Sequence, residues 1–252
     1  SLTSNAQKPE PDPGRGLVAH WKFDEANNAV VHDSSGNQVH GALRGIEPGT
    51  AGPWVEGKLG GALRLDGEND YIAFPEASKL NNLSPFSFAG WLKLEAEGGG
   101  YVVAKRSQTS GYWRLYAGNN GASWIQSFSG NGNPGFNANT PTLLNHWRHL
   151  ALTWNGWPDG QHSVLYVDGQ VVAADLSHGS GERLSDAENL FTIGNRPQGD
   201  NSYLKGLVDD FRIWNRVLSS EEIAAVFAEG AGENPKPEPV TGSVEGLLIE
   251  KG

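Results

Sequence analysis

The chain has 252 residues, enough for one or two domains with a sizeable core, and a formal net charge of −10. That charge argues against nucleic acid and anionic membrane as partners, since both need a basic footprint, and no run approaches the length of an apolar membrane span. The absence of cysteine excludes disulfides and thiolate metal sites, while 34 glycines and 14 prolines suit many short strands joined by turns.

In chain order, residues 1–13 are polar and proline-bearing and read as a linker or tail. The body is expected over 14–230. Residues 231–240, rich in Pro, Glu and Lys, form a second linker, and 241–252 read as the start of a following segment, so the chain is expected to be one module of a longer protein. Strand signals begin at Leu17–Phe23. Ala62–Leu65 and Tyr71–Phe74 flank a turn at Asp66–Asp70, and Phe86–Leu94 is strongly apolar. Tyr101–Lys105, Gly111–Tyr116, Ser123–Phe128 and Trp147–Trp154 follow. Ser163–Val167 returns through the Asp168–Gly169 turn to Val171–Ala174, the signature of a hairpin. Phe191–Gly194 and Gly206–Trp214 complete about a dozen strands. In the last of these, alternation puts Asp209 on one face with Phe211 and Asp210 on the other. A short helix closes the body: Ser219 and Glu222 have the form of a capping box, Ile223, Ala224, Val226 and Phe227 supply an apolar face, and Gly230 suits a C-cap. The fold expected is all-β, a two-sheet antiparallel jelly-roll sandwich with one short C-terminal helix.

Residues 105–136 mix aromatics, amides and guanidiniums, the combination a sugar-binding surface uses. Alternation divides this set. Trp113 shares a face with Leu115 and is expected in the core, leaving Tyr112, Arg114 and Tyr116 exposed. With Arg106, Trp124 and, in the loop GWPDG, Trp157, they form the candidate carbohydrate-binding set. Ordinary sheet-face aromatics explain the same pattern. His149 alternates with Trp147 and Ala151 and is expected to be a structural hydrogen-bonder. His20, His32 and His40 fit no zinc spacing.

Seven segments together carry a family resemblance: LVAHWKFDE (17–25), DSSGNQVHG (33–41), GKLGGALRLDGENDYI (57–72), FSFAGWLK (86–93), NHWRHLALTWNG (145–156), LYVDGQVV (165–172) and GLVDDFRIWNRVLSSEEI (206–223). In this order they resemble the laminin-G-like, concanavalin A-like jelly-roll modules of bacterial secreted proteins. HLALTW also resembles the pentraxin signature, with Ala151 where that family has cysteine, so the pentraxin disulfide cannot form. The resemblance implies a secreted, periplasmic or cell-surface module. It also implies one structural calcium ion (Ca2+) between the first loop and the last strand, held by Asp24, Asp33, Asn37, a main-chain carbonyl near His40, and Asp210. Such oxygen donors suit calcium. The alternative for the same residues is that DSSGN is an Asx-bonded turn and that the acids pair with Arg212 or Arg216. The acidic loop at 66–70 is cation-friendly too, but reads first as a hairpin turn.

Jelly-roll hydrolases of this shape carry a strand such as Glu-x-Asp-x-x-Glu, whose carboxylates share one face; no such string occurs, and neither does a nucleophile elbow, a metalloprotease helix or a phosphate loop. The expectation is therefore a non-catalytic, calcium-stabilised carbohydrate-binding or adhesion module whose partner is a polysaccharide or glycan. A protein–protein interaction or spacer domain is one alternative, and a polysaccharide hydrolase or lyase with a non-standard site is another.

Overall fold

A computed structural model describes residues 10–26, 29–46, 52–106, 111–126, 135–156, 163–175, 182–196 and 202–231. The tail before residue 10 and the segments expected beyond 231 lie outside the described residues. The strands are β1 (Leu17–Trp21), β2 (Val30–Val31), β3 (Gly41–Arg44), β4 (Trp54–Glu56), β5 (Gly61–Asp66), β6 (Tyr71–Phe74), β7 (Phe86–Leu94) and β8 (Gly100–Lys105). They continue as β9 (Trp113–Gly118), β10 (Gly121–Gln126), β11 (Gly135–Asn139), β12 (Arg148–Trp154), β13 (Ser163–Val167), β14 (Gln170–Asp175), β15 (Phe191–Ile193) and β16 (Lys205–Trp214). One helix, α1 (Ser220–Ala231), follows.

These strands form two eight-stranded antiparallel sheets. The first runs β14-β13-β12-β7-β16-β5-β4, with β1 also on β16; the second runs β11-β10-β9-β8-β15-β6-β3-β2. Their inner faces meet over a core that includes Trp21, Phe74, Phe86, Trp113, Trp124, Trp154, Phe191 and Phe211. This is the expected jelly-roll sandwich. The strands it adds to the expected set, β2, β3, β4 and β11, are two to five residues long. So few residues cannot display a period of two convincingly.

Strand β16 is buried on both faces beyond Lys205. Leu207 and Val208 pair with β5, whereas Phe211 to Trp214 pair with β1. At the changeover its register against β7 slips between Asp209 and Arg212, and Asp210 takes a φ of 52°. Val208 and Phe211, three residues apart, therefore both reach the inter-sheet core. This bulge corrects the simple alternation. Asp209 does not share the face of Phe211. It lies opposite Trp91, whose ring meets Phe227 of α1 on the outer side of the sheet.

Helix α1 covers that outer face through a second cluster of Ala89, Ala151, Tyr166, Trp214, Leu218, Ile223 and Val226. The capping box is formed: the Glu222 amide donates to Ser219 Oγ at 3.2 Å and the Ser219 amide to Glu222 Oε2 at 2.9 Å. Arg216 adds a two-pronged bond to the same carboxylate at 2.7 and 2.8 Å. Gly230 is not a C-cap. It is inside the helix and buried, and a Cβ there would stand 2.5 Å from Trp91 Nε1, so only glycine admits the indole. Ala224, expected on the packed face, is exposed. Asp12 and Pro13 also belong to this end, since their carbonyls accept bonds from Arg216 and from the Trp214 indole.

Candidate functional site

Two regions gather polar chemistry. The first is the seam where β16 changes partner from β5 to β1. There the acids hold backbone and neighbouring side chains. Asp209 Oδ2 accepts the amides of Lys58 and Leu59 at 2.7 and 2.8 Å, and Asp24 Oδ1 accepts that of Gly61 at 2.7 Å. Asp210 Oδ1 lies 2.6 Å from His20 Nε2, and Asp210 Oδ2 lies 2.9 Å from an Arg212 nitrogen that also reaches Glu229. Burial raises the Asp209 pKa to about 7. The two amides oppose this rise and the charges of Asp210 and Asp24 add to it. Asp210, also buried, is nonetheless held below the usual carboxylate range by His20 and Arg212. A cavity of about 700 Å³ opens here, lined in part by His20, Lys22, Asp24, Asp210, Arg212 and Glu229. Its charges are of both signs, and among the described residues no Phe, Tyr or Trp lines it.

The expected calcium ligands do not converge into one oxygen cage. Asp33 Oδ1 accepts the amides of His20 and Ser35, and Oδ2 accepts Ser35 Oγ and the Val39 amide, all at 2.8–3.0 Å. Burial would raise the Asp33 pKa, but these four bonds outweigh it and hold the carboxyl ionised and low. Asn37 Oδ1 accepts the Lys79 ammonium at 2.9 Å, and its amide nitrogen donates to Leu17 O. The His40 ring accepts the Asp33 amide at 3.0 Å. Calcium needs six to eight oxygens, whereas here cations of the protein, Lys79 and Arg212, stand against Asn37 and Asp210. This donor set does not fit the ion. The geometry is the Asx-bonded turn and the Arg212 pairing that the sequence offered as the alternative. At 66–70, Asp66 Oδ1 accepts the amides of Glu68, Asn69 and Asp70, so the turn is closed by its own carboxylate, but it carries the chain from β5 in one sheet to β6 in the other and is not the hairpin expected.

The second region is the outer face of the other sheet, over β8 to β11. Leu115, Trp113 and Trp124 point into the core. The cross-strand register Tyr101↔Tyr116↔Ser123↔Asn137 places one polar row across four strands on the opposite face. The Tyr101 and Tyr116 rings meet edge to face at 5.4 Å, and Tyr116 donates to Gly98 O at 3.2 Å. Guanidiniums lie over these tyrosines. Arg114 Cζ is 5.6 Å and Arg196 Cζ 5.1 Å from the Tyr101 ring centre, and Arg106 Cζ is 4.4 Å from that of Tyr112. Arg114 also donates to Ser123 Oγ at 3.0 Å. Burial, then the nearby Arg196 charge, lowers the Arg106 pKa.

Four members of the expected sugar-binding set, Arg106, Tyr112, Arg114 and Tyr116, are thus brought together and partly exposed. Trp124 is not among them. It is 2% exposed and packs on Phe86 and Trp113, because its register partner is Leu115 and the pair shares the core face. Trp157 lies outside the described residues. Sequence reasoning missed Tyr101, Ser123, Asn137 and Arg196 as members of this face. Tyr101 was hidden by a second bulge: Val102 and Val103 both lie in the core, so parity along β8 does not reveal it. His149 is also not the hydrogen-bonder expected. Its ring is buried with neither nitrogen bonded among the described residues, wedged against Trp91 and Phe227, and burial lowers its pKa to about 3.

The family model described as the concanavalin A-like lectin/glucanases superfamily, of laminin G type, matches residues 66–224. The chain belongs to this family. Among curated relatives, this laminin G-type domain is 26% identical over 141 residues to human adhesion G-protein coupled receptor D1, a match covering 54% of the chain and 14% of the receptor. It is 31% identical over 96 residues to mouse pentraxin-related protein PTX3, covering 35% of the chain and 24% of that protein. The chain therefore spans a small part of the curated relatives it matches. Among solved structures it resembles the binding domain of Paraclostridial Mosquitocidal Protein 1, with TM-score 0.68 and 18% identity, covering 86% of this chain and 53% of that one. It also resembles domain 4 of AbnA, an extracellular arabinanase of Geobacillus stearothermophilus, solved with arabinotriose, with TM-score 0.58 and 21% identity, covering 83% and 97%. These structures agree in fold. Among the described residues no helix is long and apolar enough to cross a membrane.

Proposed function

We propose that this laminin G-type domain is a non-catalytic glycan-binding module, with its ligand on the outer face of β8 to β11. The observation that carries the reading is the row Tyr101–Tyr116–Ser123–Asn137 with Arg106, Tyr112 and Arg114 beside it. Tyr112 and Tyr116, partly exposed, can cover the apolar C–H side of a sugar ring, while Tyr101, 5% exposed, supports Tyr116 edge to face. Hydroxyl, amide and guanidinium groups fixed on a sheet read its hydroxyls without first being ordered. The likeness to an arabinanase domain solved with arabinotriose supports the ligand class.

The module is read as non-catalytic because the acids of the seam and the first loop are engaged by the protein's own groups. Asp209, Asp24 and Asp33 each hold main-chain amides, and Asp210 is tied to His20 and Arg212. We place it outside the cytoplasm as part of a longer protein, on the likeness to a domain of an extracellular enzyme and on the small share of each curated relative that it matches.

The test is a glycan array followed by calorimetry on the best hit with wild type and Tyr116→Ala. Saturable binding that falls by about tenfold or more in the variant, with melting temperature kept, is the expected result. If no glycan bound, the domain would be better read as a protein-interaction or spacer module. If binding survived the substitution, the site would lie elsewhere.

A further inference from the structure

Helix α1 covers the outer face of the first sheet only part of the way along β7. Ser87, near the head of β7, holds the chain just before the helix: it donates to Arg216 O at 2.8 Å and accepts the Leu218 amide at 2.9 Å. Ala89, two residues on, lies in one cluster with Ile223 and Val226. Trp91, two further, meets Phe227 and stands against Gly230. The helix thus follows the outward residues of β7 in turn and ends at Ala231. Lys93, about 7 Å farther along the same face, lies beyond it.

Register sets Lys93, Leu207 and Arg64 side by side across β7, β16 and β5. Trp147, just before β12, extends this row, with Lys93 Nζ 5.6 Å from its ring centre. Lys58, in the β4–β5 turn, stands 5.0 Å over the Trp91 ring, and Lys205 lies two residues from Leu207 on the same face of β16. Two acids accompany these four cations: Glu95 is 3.1 Å from Arg64, and Asp66 is opposite Lys205. Lys58 and Lys93, both partly exposed, hold no carboxylate among the described residues. On a chain of net −10 the sign of the charge is reversed here. Leu207, 3% exposed, belongs to neither apolar cluster, so the row has an apolar step of its own between two cations.

An ammonium resting on an indole is held by the ring yet keeps N–H donors for another group. Lys93 and Arg64 stand two strands apart, about 10 Å, which is the reach of three residues of extended chain. A carboxylate at each end of such a stretch meets a cation, and the residues between them lie over Leu207. The surroundings disfavour a long polyanion, because the acidic remainder of the chain repels it. A short segment with a few carboxylates engages the cations without that penalty.

We propose that the uncovered row Trp147–Lys93–Leu207–Arg64 is a docking surface for an extended acidic segment of a partner protein. This surface is on the opposite sheet from the candidate glycan face and does not depend on the glycan reading.

The experiment selects binders from a random peptide library on the intact wild-type chain. The best peptide is then titrated by calorimetry into wild type, Lys93→Gln, Lys93→Glu and Arg64→Glu, with Lys22→Glu in the seam cavity as a charge control. The selected peptides are expected to be acidic and to bind less tightly as salt rises. Lys93→Glu and Arg64→Glu are expected to weaken binding about tenfold or more, Lys93→Gln less, and Lys22→Glu little. Tyr116→Ala should bind the peptide as wild type does. Selection of peptides without acidic residues would overturn the inference, as would equal losses in Lys93→Glu and Lys22→Glu. Equally tight binding of a sulfated galactan that displaces the peptide would reduce the face to general anion attraction. Self-association of wild type that Lys93→Glu abolishes would make a second copy the occupant, and new protease cleavage within 232–252 in Lys93→Glu would make it the chain's own end; either contradicts a partner protein. The peptides are selected on unaltered protein, and the milder Lys93→Gln, compared at matched melting temperature, keeps the test decisive where a charge reversal unfolds the domain.

Discussion

Replacing Asp209 with asparagine is expected to stabilise the domain by an amount that depends on pH. The carboxyl is fully buried, and burial lifts its pKa from 3.8 to about 7, against the pull of the Lys58 and Leu59 amides. Between those two values the folded chain carries a proton that the unfolded chain has lost. Stability must then fall as pH rises, by about 1.4 kcal/mol per unit, and is constant above the folded pKa. Across the window from about pH 4 to pH 7 the loss is on the order of 4 kcal/mol. Asparagine does not titrate but keeps an oxygen for the two amides. The stability gap in favour of Asp209→Asn should therefore widen from pH 4 to pH 7 and then level off. Urea melts of both proteins at half-unit steps from pH 4 to 8 measure it. A gap that stays constant over that range would refute the burial argument, and one that narrows would reverse its sign.

His149 should show the opposite behaviour: its folded pKa of about 3 lies below the ordinary 6.5, so the unfolded chain takes the proton first and stability is lost as pH falls from about 6.5 toward 3. His149→Phe should gain on wild type over that same fall, measured in the same melts. Asp186→Ala would leave the Lys105 ammonium, 1% exposed, without its ion partner at 3.0 Å, and is expected to cost about 3–5 kcal/mol in denaturant unfolding. Gly230→Ala pushes a methyl into the Trp91 indole and should cost about 1–3 kcal/mol in the same assay. Calcium chelation should leave the melting temperature unchanged, since Asp33, Asn37 and Asp210 are satisfied by protein donors; a clear fall with chelator, reversed by calcium, would contradict that reading.

Much of this architecture is legible in the residues. Phe86–Leu94, Trp147–Trp154 and Ser163–Ala174 alternate or run apolar over lengths that only strands explain, and the capping box at Ser219 and Glu222 forms as written. The division of Tyr112, Arg114 and Tyr116 from Trp113 and Leu115 was also readable, because β9 has no bulge. Where a bulge intervenes, parity fails. At Asp209–Asp210 it moves an acid from the expected core face to the helix side, and in β8 it conceals Tyr101. Trp124 was misplaced for a different reason: its face depends on register with β9, which only the assembled sheet defines. The seam acids looked like metal ligands because oxygen-rich loops bind cations and close backbone gaps with the same groups. The difference lies in which donors arrive, and here they are main-chain amides, His20, Arg212 and Lys79.

The central claim is that the outer face of β8 to β11 binds glycan, and the most direct measurement is calorimetric titration of the best array glycan into wild type and Tyr116→Ala at matched folding. Saturable binding by wild type, weakened by about tenfold or more in the variant, is the predicted result. Binding of equal strength in both proteins, or none in wild type, would contradict it.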